Sequence, residues 1–302
     1  MIKITKNIAE ATMITHSGSF HPDDVFSTMF LSNLNPDEIV IRLSKLPDKL
    51  KENIKVYDIG FGKFDHHQPD AKMRNANIKY CSFGLLWSAY GEEYLKRITP
   101  DYKKLWQIID EKLVMQIDAI DNGVFPKIEA EYSLLDLDKI IDLFNNAWNE
   151  NEDNDENFRE ACAVADLIFK RLITKELAKI EASKIIEEII EQNEGEILIL
   201  PKYLPYQEAI HTSLNPKAKN VKVIIFPSNR GGYNIKPMTI SKESKQLVVN
   251  FDKRFFGLHD EELVRISGIK TAKFVHNTGF IASTETLEDA LLLAQNALDT
   301  KK

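Results

Sequence analysis

Apolar positions in the first sixty residues come in short continuous runs. Residues 12–15 form one run ending at His16, residues 38–43 a second built on Ile39, Val40 and Ile41, and residues 54–59 a third containing Asp58. Such runs predict strands buried on both faces. Between the first two, Pro22 precedes two aspartates and the apolar-periodic stretch 25–34, so a helix is predicted to begin near residues 22–24. Helical periodicity continues over 82–97, from Pro100 towards Asp118, over 137–148 and, as one long pattern, over 158–192. Strands separated by helical segments predict an α/β protein with a doubly wound, mainly parallel sheet. Such sheets bind ligands at the carboxyl ends of their strands, where His16 and Asp58 both fall.

The second half reads differently. Strands are predicted over 196–200 and 221–226, weaker ones over 232–237 and 247–251, and a C-terminal helix over 287–298, which together make a smaller α+β domain. Residues 149–157 contain no apolar side chain and predict an exposed linker. The expected division is residues 1–150 and 158–302, with the long helix leading into the second domain.

Composition narrows the function classes. With 302 residues and 43% hydrophobic content, the chain can bury a large core. Its two cysteines, Cys81 and Cys162, exclude a disulfide framework and a cysteine-pair zinc site and suggest a reducing compartment. No apolar run is long enough to span a bilayer, and the start of the chain has no apolar signal core, so a cytoplasmic location without membrane contact is expected. A net charge of −7 argues against a broadly basic nucleic-acid-coating surface but permits a nucleic-acid substrate in one local groove.

Candidate chemistry falls into three clusters. The first joins His16 to His21, Asp23 and Asp24 across a glycine-containing turn, although each aspartate alone is also an ordinary helix cap. The second joins Asp58 to Asp65, His66 and His67 across Gly60 and Gly62. The third is Asp118 and Asp121, three residues apart on one helical face before Asn122 and Gly123. Imidazole and carboxylate together suit divalent manganese, iron or zinc. Taken in order, the clusters can build two adjacent metal sites with Asp58 as the shared carboxylate. Two ions roughly 3.5–4 Å apart can activate a water and offset charge on a phosphate.

At these residues the chain resembles the DHH phosphoesterase superfamily, which includes RecJ-type exonucleases and manganese-dependent inorganic pyrophosphatases. It is more closely similar to the Myg-type (melanocyte-proliferating-gene) exonuclease family, once labelled a predicted metal-dependent protein hydrolase. The likeness runs nearly end to end. It rests on Thr15 through Asp24, Tyr57 through Gly60, Phe64 through Gln68 and Asp118 through Gly123. In the second half it includes Gly257-Leu258, Glu262-Leu263, Ser267-Gly268-Ile269 and Phe274 through Ile281. The resemblance implies a DHH-like N-terminal catalytic domain and a C-terminal substrate-binding domain. It implies that His16, Asp23, Asp24, Asp58, His66 and Asp121 bind metal, that Asp58 is the bridge, and that His67 contacts substrate phosphate. His21, Asp65 and Asp118 are further ligands or supports for them. The spacing of His16, Asp23 and Asp24 departs from the usual His-x-x-x-Asp-x-Asp, which leaves open which aspartate serves which ion. In the second half Arg230, Gly231, Gly232, Arg254 and His276 are the substrate-side candidates, with a simple hairpin turn as the other reading of Arg230 to Gly232. Ala282-Ser283 stands where the family often has a glycine pair.

The implied function is a phosphodiesterase using two divalent ions, manganese first and magnesium, zinc or iron as alternatives. The expected activity is 3′→5′ exonuclease action on RNA or short single-stranded nucleic acid, with a homodimer as a further expectation. Hydrolysis of a small phosphate ester, such as a very short oligonucleotide or a cyclic dinucleotide, is the alternative favoured by the acidic charge. A zinc deacetylase is suggested only by His21-Pro22-Asp23-Asp24, and a nonenzymatic metal-dependent binding protein is the remaining class.

Overall fold

The computed structural model describes residues 2–74, 77–150 and 154–300. They divide into two compact units, Met1–Leu177 and Ala178–Lys302.

In the first unit, β1 (Lys3–Ile4), β2 (Met13–His16), β3 (Ile39–Leu43) and β4 (Lys55–Val56) form a parallel sheet in the order β1-β3-β2-β4. The order reverses at β2: the chain passes to β3 on one side, then crosses to β4 on the other. A crevice therefore opens at the carboxyl ends of β2 and β4. α1 (Pro22–Leu34) makes the first crossover, whereas residues 44–54 connect β3 to β4 without the helix expected of a doubly wound sheet. β4 is also shorter than its apolar run. Asp58 takes the left-handed conformation (φ 56°), which ends sheet pairing and turns the chain into the following loop.

α2 (Ser82–Lys96) packs on α1 through aromatic contacts: Phe30 lies 6.0 Å from Phe83 and 5.5 Å from Trp87 between ring centroids. The helix predicted from Pro100 is α3 (Tyr102–Ile109), a π-helical turn (Asp110–Val114) and α4 (Met115–Asp121) in unbroken succession. α5 (Leu137–Asp142) stops short of the predicted 148. The Asn145 side chain instead accepts from Phe20 N–H at 3.0 Å and donates to Phe20 C=O at 2.9 Å, drawing the chain out of the helix.

α6 (Asn154–Gln192) begins inside the stretch expected to be a linker, of which residues 151–153 lie outside the described residues. Asp155 stands in its first turn and pairs with Arg42 at 3.3 Å. The division between the units falls within this helix, after Leu177. Phe158, Cys162, Ala165 and Phe169 supply its buried stripe in the first unit, and Ala182, Ile186 and Ile190 in the second.

The second unit is a five-stranded mixed sheet in the order β5-β6-β7-β9-β8: β5 (Ile197–Ile199), β6 (Val223–Pro227), β7 (Tyr233–Pro237), β9 (Ala282–Thr284) and β8 (Ala272–Val275). One face packs under α8 (Asp260–Ser267) and α9 (Leu287–Asp299), with Val223, Ile225, Ile235, Val275 and Leu293 at its centre. Part of the other face packs on Ile186, Ile190 and α7 (Tyr206–Thr212). Residues 247–251 are not a strand; Leu247 makes a single bridge to Thr239 while Val249 and Phe251 are buried singly. The described residues form a mixed α/β structure with a parallel sheet and a mixed sheet. No helix among the described residues is long and apolar enough to cross a membrane.

Candidate metal centre

Four elements of the first unit bring the acidic and imidazole side chains together. β2 ends in His16, and α1 opens with Asp23 and Asp24, both fully buried. β4 leads into Asp58 and the Asp-His-His loop, and α4 closes with Asp121. The left-handed Asp58 is a non-glycine residue in a sparsely populated conformation, a form of strain that concentrates at functional sites. Asp58 N–H donates to Phe64 C=O at 3.0 Å, which closes the loop and fixes this turn.

The two carboxylate oxygens of Asp58 face different histidines. Oδ2 lies 3.3 Å from His16 Nε2, and Oδ1 lies 3.4 Å from His66 Nε2. On the His16 side, Asp24 Oδ2 stands 3.5 Å away, and His21 completes a group able to hold one cation. On the His66 side, Asp121 Oδ2 stands at 3.1 Å and Asp23 Oδ2 at 3.7 Å, a second such group. The adjacent aspartates thus part company, Asp24 towards His16 and Asp23 towards His66. His67 reaches Asp58 Oδ1 only at 3.8 Å and is half-exposed, with Nδ1 held by Asp65 Oδ1 at 2.6 Å.

The electrostatics follow from burying four carboxylates together. Burial pushes the Asp24 carboxyl up to about 7 against the opposing pull of His16. Burial raises Asp23 and Asp121 as well, Asp23 further through the charge of Asp58 and Asp121 through that of Asp23. Asp58 goes the other way: burial opposes its charge, but hydrogen bonds from His16 and His66 outweigh it and hold the carboxyl at about 2. Burial also opposes charge on His16, yet the Asp58 contact and the neighbouring Asp24 raise it to about 9. Two imidazolium protons thus offset part of the negative charge, a role a divalent cation fills better.

The donor set suits such a cation. Asp24 Oδ2 and Asp121 Oδ2 are buried without a well-aligned hydrogen bond, which costs roughly 1–3 kcal/mol for an unsatisfied group. Carboxylate oxygens and imidazole nitrogens are the ligands of manganese, iron and zinc.

Two expected participants are committed elsewhere. Asp65 accepts from Phe61 N–H at 2.6 Å and His67 N–H at 3.1 Å, so it shapes the loop and orients His67. Asp118 is fully buried and accepts from Cys81 N–H at 2.9 Å and from Arg74 Nε at 2.6 Å. Cys81 precedes α2, whose first N–H groups, on Ser82 and Phe83, donate to Asp23 at 2.9 and 2.5 Å. Asp118 therefore supports Asp23 through the start of α2. Arg74, which also grips both oxygens of Asp110 at 2.5 and 3.0 Å, was not marked by any spacing pattern. Nor were Phe125 and Asp138, which line the cavity of about 570 Å³ above the cluster together with His16, His67 and Asp121.

The second unit holds the other candidates. Arg230 and Gly231 line a cavity of about 600 Å³. They form the tight β6–β7 hairpin, closed by Ser228 N–H to Gly232 C=O at 2.8 Å, as the turn reading of this stretch has it. Gly232 serves packing, since a Cβ there would stand 2.1 Å from Thr284 C=O. Arg254 is tied to Asp252 at 2.6 Å. His276 Nδ1 contacts Thr278 Oγ1 at 2.9 Å, with its ring against Phe280.

Fold and site together define an α/β protein with a buried carboxylate–imidazole cluster whose groups could hold metal ions. The chain belongs to the MYG1 exonuclease family, described as Uncharacterised protein family (UPF0160), whose profile matches residues 12–298. It is 28% identical to a Dictyostelium discoideum protein named "MYG1 protein" over 97% of this chain and 98% of that one. It is 29% identical to a "MYG1 protein" of Caenorhabditis elegans, over 94% of each chain. The human "MYG1 exonuclease" is 27% identical, over 97% of this chain and 87% of its own. No solved structure matches the chain significantly.

Proposed function

We propose that this protein is a divalent-metal-dependent phosphodiesterase acting as a 3′→5′ exonuclease on RNA or short single-stranded nucleic acid. The observation that carries the reading is Asp58, which presents one oxygen to each half of the cluster, 3.3 Å from His16 and 3.4 Å from His66. In this reading His16, Asp24 and His21 would hold one ion and Asp23, His66 and Asp121 the other, with Asp58 as the carboxylate shared between the two groups. Manganese is the expected metal. When bound, such a pair supplies Lewis acidity that generates a nucleophile from water near neutral pH and offsets charge on the phosphoryl oxygens. The chain's own work is positional. Asp65 orients His67, whose half-exposed ring offers a donor to a substrate phosphate. The exonuclease name of the mammalian relatives supports nucleic acid as the substrate. The reversal of strand order at β2 supports a DHH-like first domain, with the second unit as substrate-binding domain.

The test is metal-stripped protein given manganese and a 5′-labelled single-stranded RNA, beside Asp58→Asn. A ladder shortening from the 3′ end, lost in the variant, is expected. A protein that binds manganese yet leaves RNA and DNA intact would sink the polymer reading; turnover of dinucleotides alone would replace it with the small-ester reading.

A further inference from the structure

The mixed sheet of the second unit has a face that is only partly covered. Strand register places Phe226, Asn234, Ser283 and Phe274 directly opposite one another across β6, β7, β9 and β8. Residues paired this way share a face, and Lys236, two positions beyond Asn234, joins them. At the β6 end this face is buried, with Phe226 only 5% exposed. Over β7, β9 and β8 it opens into two cavities. One, about 600 Å³, contains Asn234, Ser283, Phe274 and Arg230; the other, about 690 Å³, contains Lys236, Lys245 and Phe280.

The charge lining these two cavities is one-sided. No carboxylate among the described residues lines either of them, in a chain of net charge −7; Glu208, which shares a third cavity with Lys236, is paired with Lys242 at 2.7 Å. Arg230, Lys236 and Lys245 make no ion pair among the described residues. Lys236 is half-buried, which lowers its ammonium below the usual value, and its Nζ sits 5.3 Å from the centroid of the Phe280 ring, itself 40% exposed. A half-desolvated cation with no ion pair among the described residues, beside an open aromatic ring, suits an anion that carries flat apolar groups.

The geometry points to the open half of this sheet face, centred on Lys236, Phe280 and Phe274, as a binding platform for single-stranded nucleic acid. Lys236 and Arg230 take backbone phosphates, and the two phenylalanine rings stack against bases. Cations that track the backbone between aromatic surfaces are how single strands are held without sequence preference. The inference deepens the exonuclease reading and rests on it for the choice of nucleic acid.

The test is fluorescence anisotropy of the full chain with a 5′-fluorescein-labelled single-stranded oligoribonucleotide in EDTA, so that binding is measured without cleavage. Phe280→Ala should weaken binding about tenfold, the loss of one stacked base, and Phe280→Tyr should restore it. Lys236→Gln should reduce the slope of log affinity against log salt by about 0.7, one phosphate contact on a single strand. Thermal melting establishes that each variant is folded. Unchanged affinity in folded Phe280→Ala and an unchanged slope in Lys236→Gln would overturn the platform, as would competition by inorganic pyrophosphate with no strand binding. A strand that binds through these residues but is never cut with manganese would instead overturn the exonuclease reading and leave the platform standing.

Discussion

Asp118 leaves no room for a side chain at Gly84: a Cβ there would stand 2.1 Å from Asp118 Oδ1. The same oxygen accepts the Cys81 N–H, so the start of α2 and the carboxylate of α4 touch without an intervening atom. Gly84→Ala should push Asp118 away and tilt the N–H groups that hold Asp23. We expect a loss of about 1–3 kcal/mol in denaturant unfolding, the usual cost of overpacking, together with weaker manganese binding by calorimetry. An alanine variant of wild-type stability and metal affinity would show that the contact is slack.

Arg74 neutralises Asp118 in a site where neither side chain is more than 8% exposed. Arg74→Met strands a buried carboxylate and should cost about 3–5 kcal/mol. Adding Asp118→Asn to Arg74→Met removes the stranded charge, so the double variant should recover part of that loss. Simple additivity in the double-mutant cycle would contradict the pairing.

The metal-free protein should lose stability as pH rises. The Asp24 carboxyl sits at about 7 against an ordinary 3.8, so its contribution is whole below about 3.8 and is lost as pH rises through about 7. His16, at about 9 against 6.5, contributes fully below 6.5 and loses that contribution as pH rises through about 9. Asp58, held at about 2, acts oppositely and matters only as pH falls from about 3.8 towards 2. Melting of EDTA-treated protein should therefore fall between about pH 4 and 9, and Asp24→Asn should flatten the part of that fall below about pH 7. A metal-free melting temperature that climbs over this window would refute the assignment.

Manganese should reverse that trend. Ligands must shed their protons to bind, so the ion releases protons and its stabilisation grows with pH. Calorimetric titration at about pH 7 in buffers of different ionisation enthalpy should show net proton release, diminished in His16→Ala. Buffer-independent heats would mean that the cluster is not where the ion goes.

On the proposed reading His67 handles substrate, although with Asp58 and His66 it also forms a group able to hold a cation. Because Asp65 holds its Nδ1 and its distance to Asp58 is 3.8 Å, His67→Ala should lower turnover by about 100-fold, the scale of losing one donor to a developing oxyanion, while leaving manganese affinity nearly unchanged. A parallel collapse of both would make His67 a ligand.

What the sequence made legible follows from how local the signal is. The β2 run, the α1 start and the Asp-His-His loop are each set within a dozen residues, and period and turn chemistry suffice to place them. The separate allegiances of Asp23 and Asp24 were not legible, because they depend on where Phe83 N–H and His21 N–H lie in space. Arg74 reaches a partner 44 residues away, and no periodicity connects the two. In the second unit β8 is four residues long and β9 three; tertiary pairing, rather than intrinsic pattern, makes them strands. The early end of α5 has the same origin, in the hold of Asn145 on Phe20.

The π-helical turn Asp110–Val114 sets the rotational phase of all that follows it in the helix. Each residue of an α-helix advances the side chains by about 100°, so one residue more or fewer before α4 would swing Asp118 and Asp121 to a different side together. Arg74 would lose one partner and His66 the other in a single event. Length in this segment is therefore as much a constraint as residue identity, and a deletion here would silence the cluster while leaving every one of its side chains in the chain.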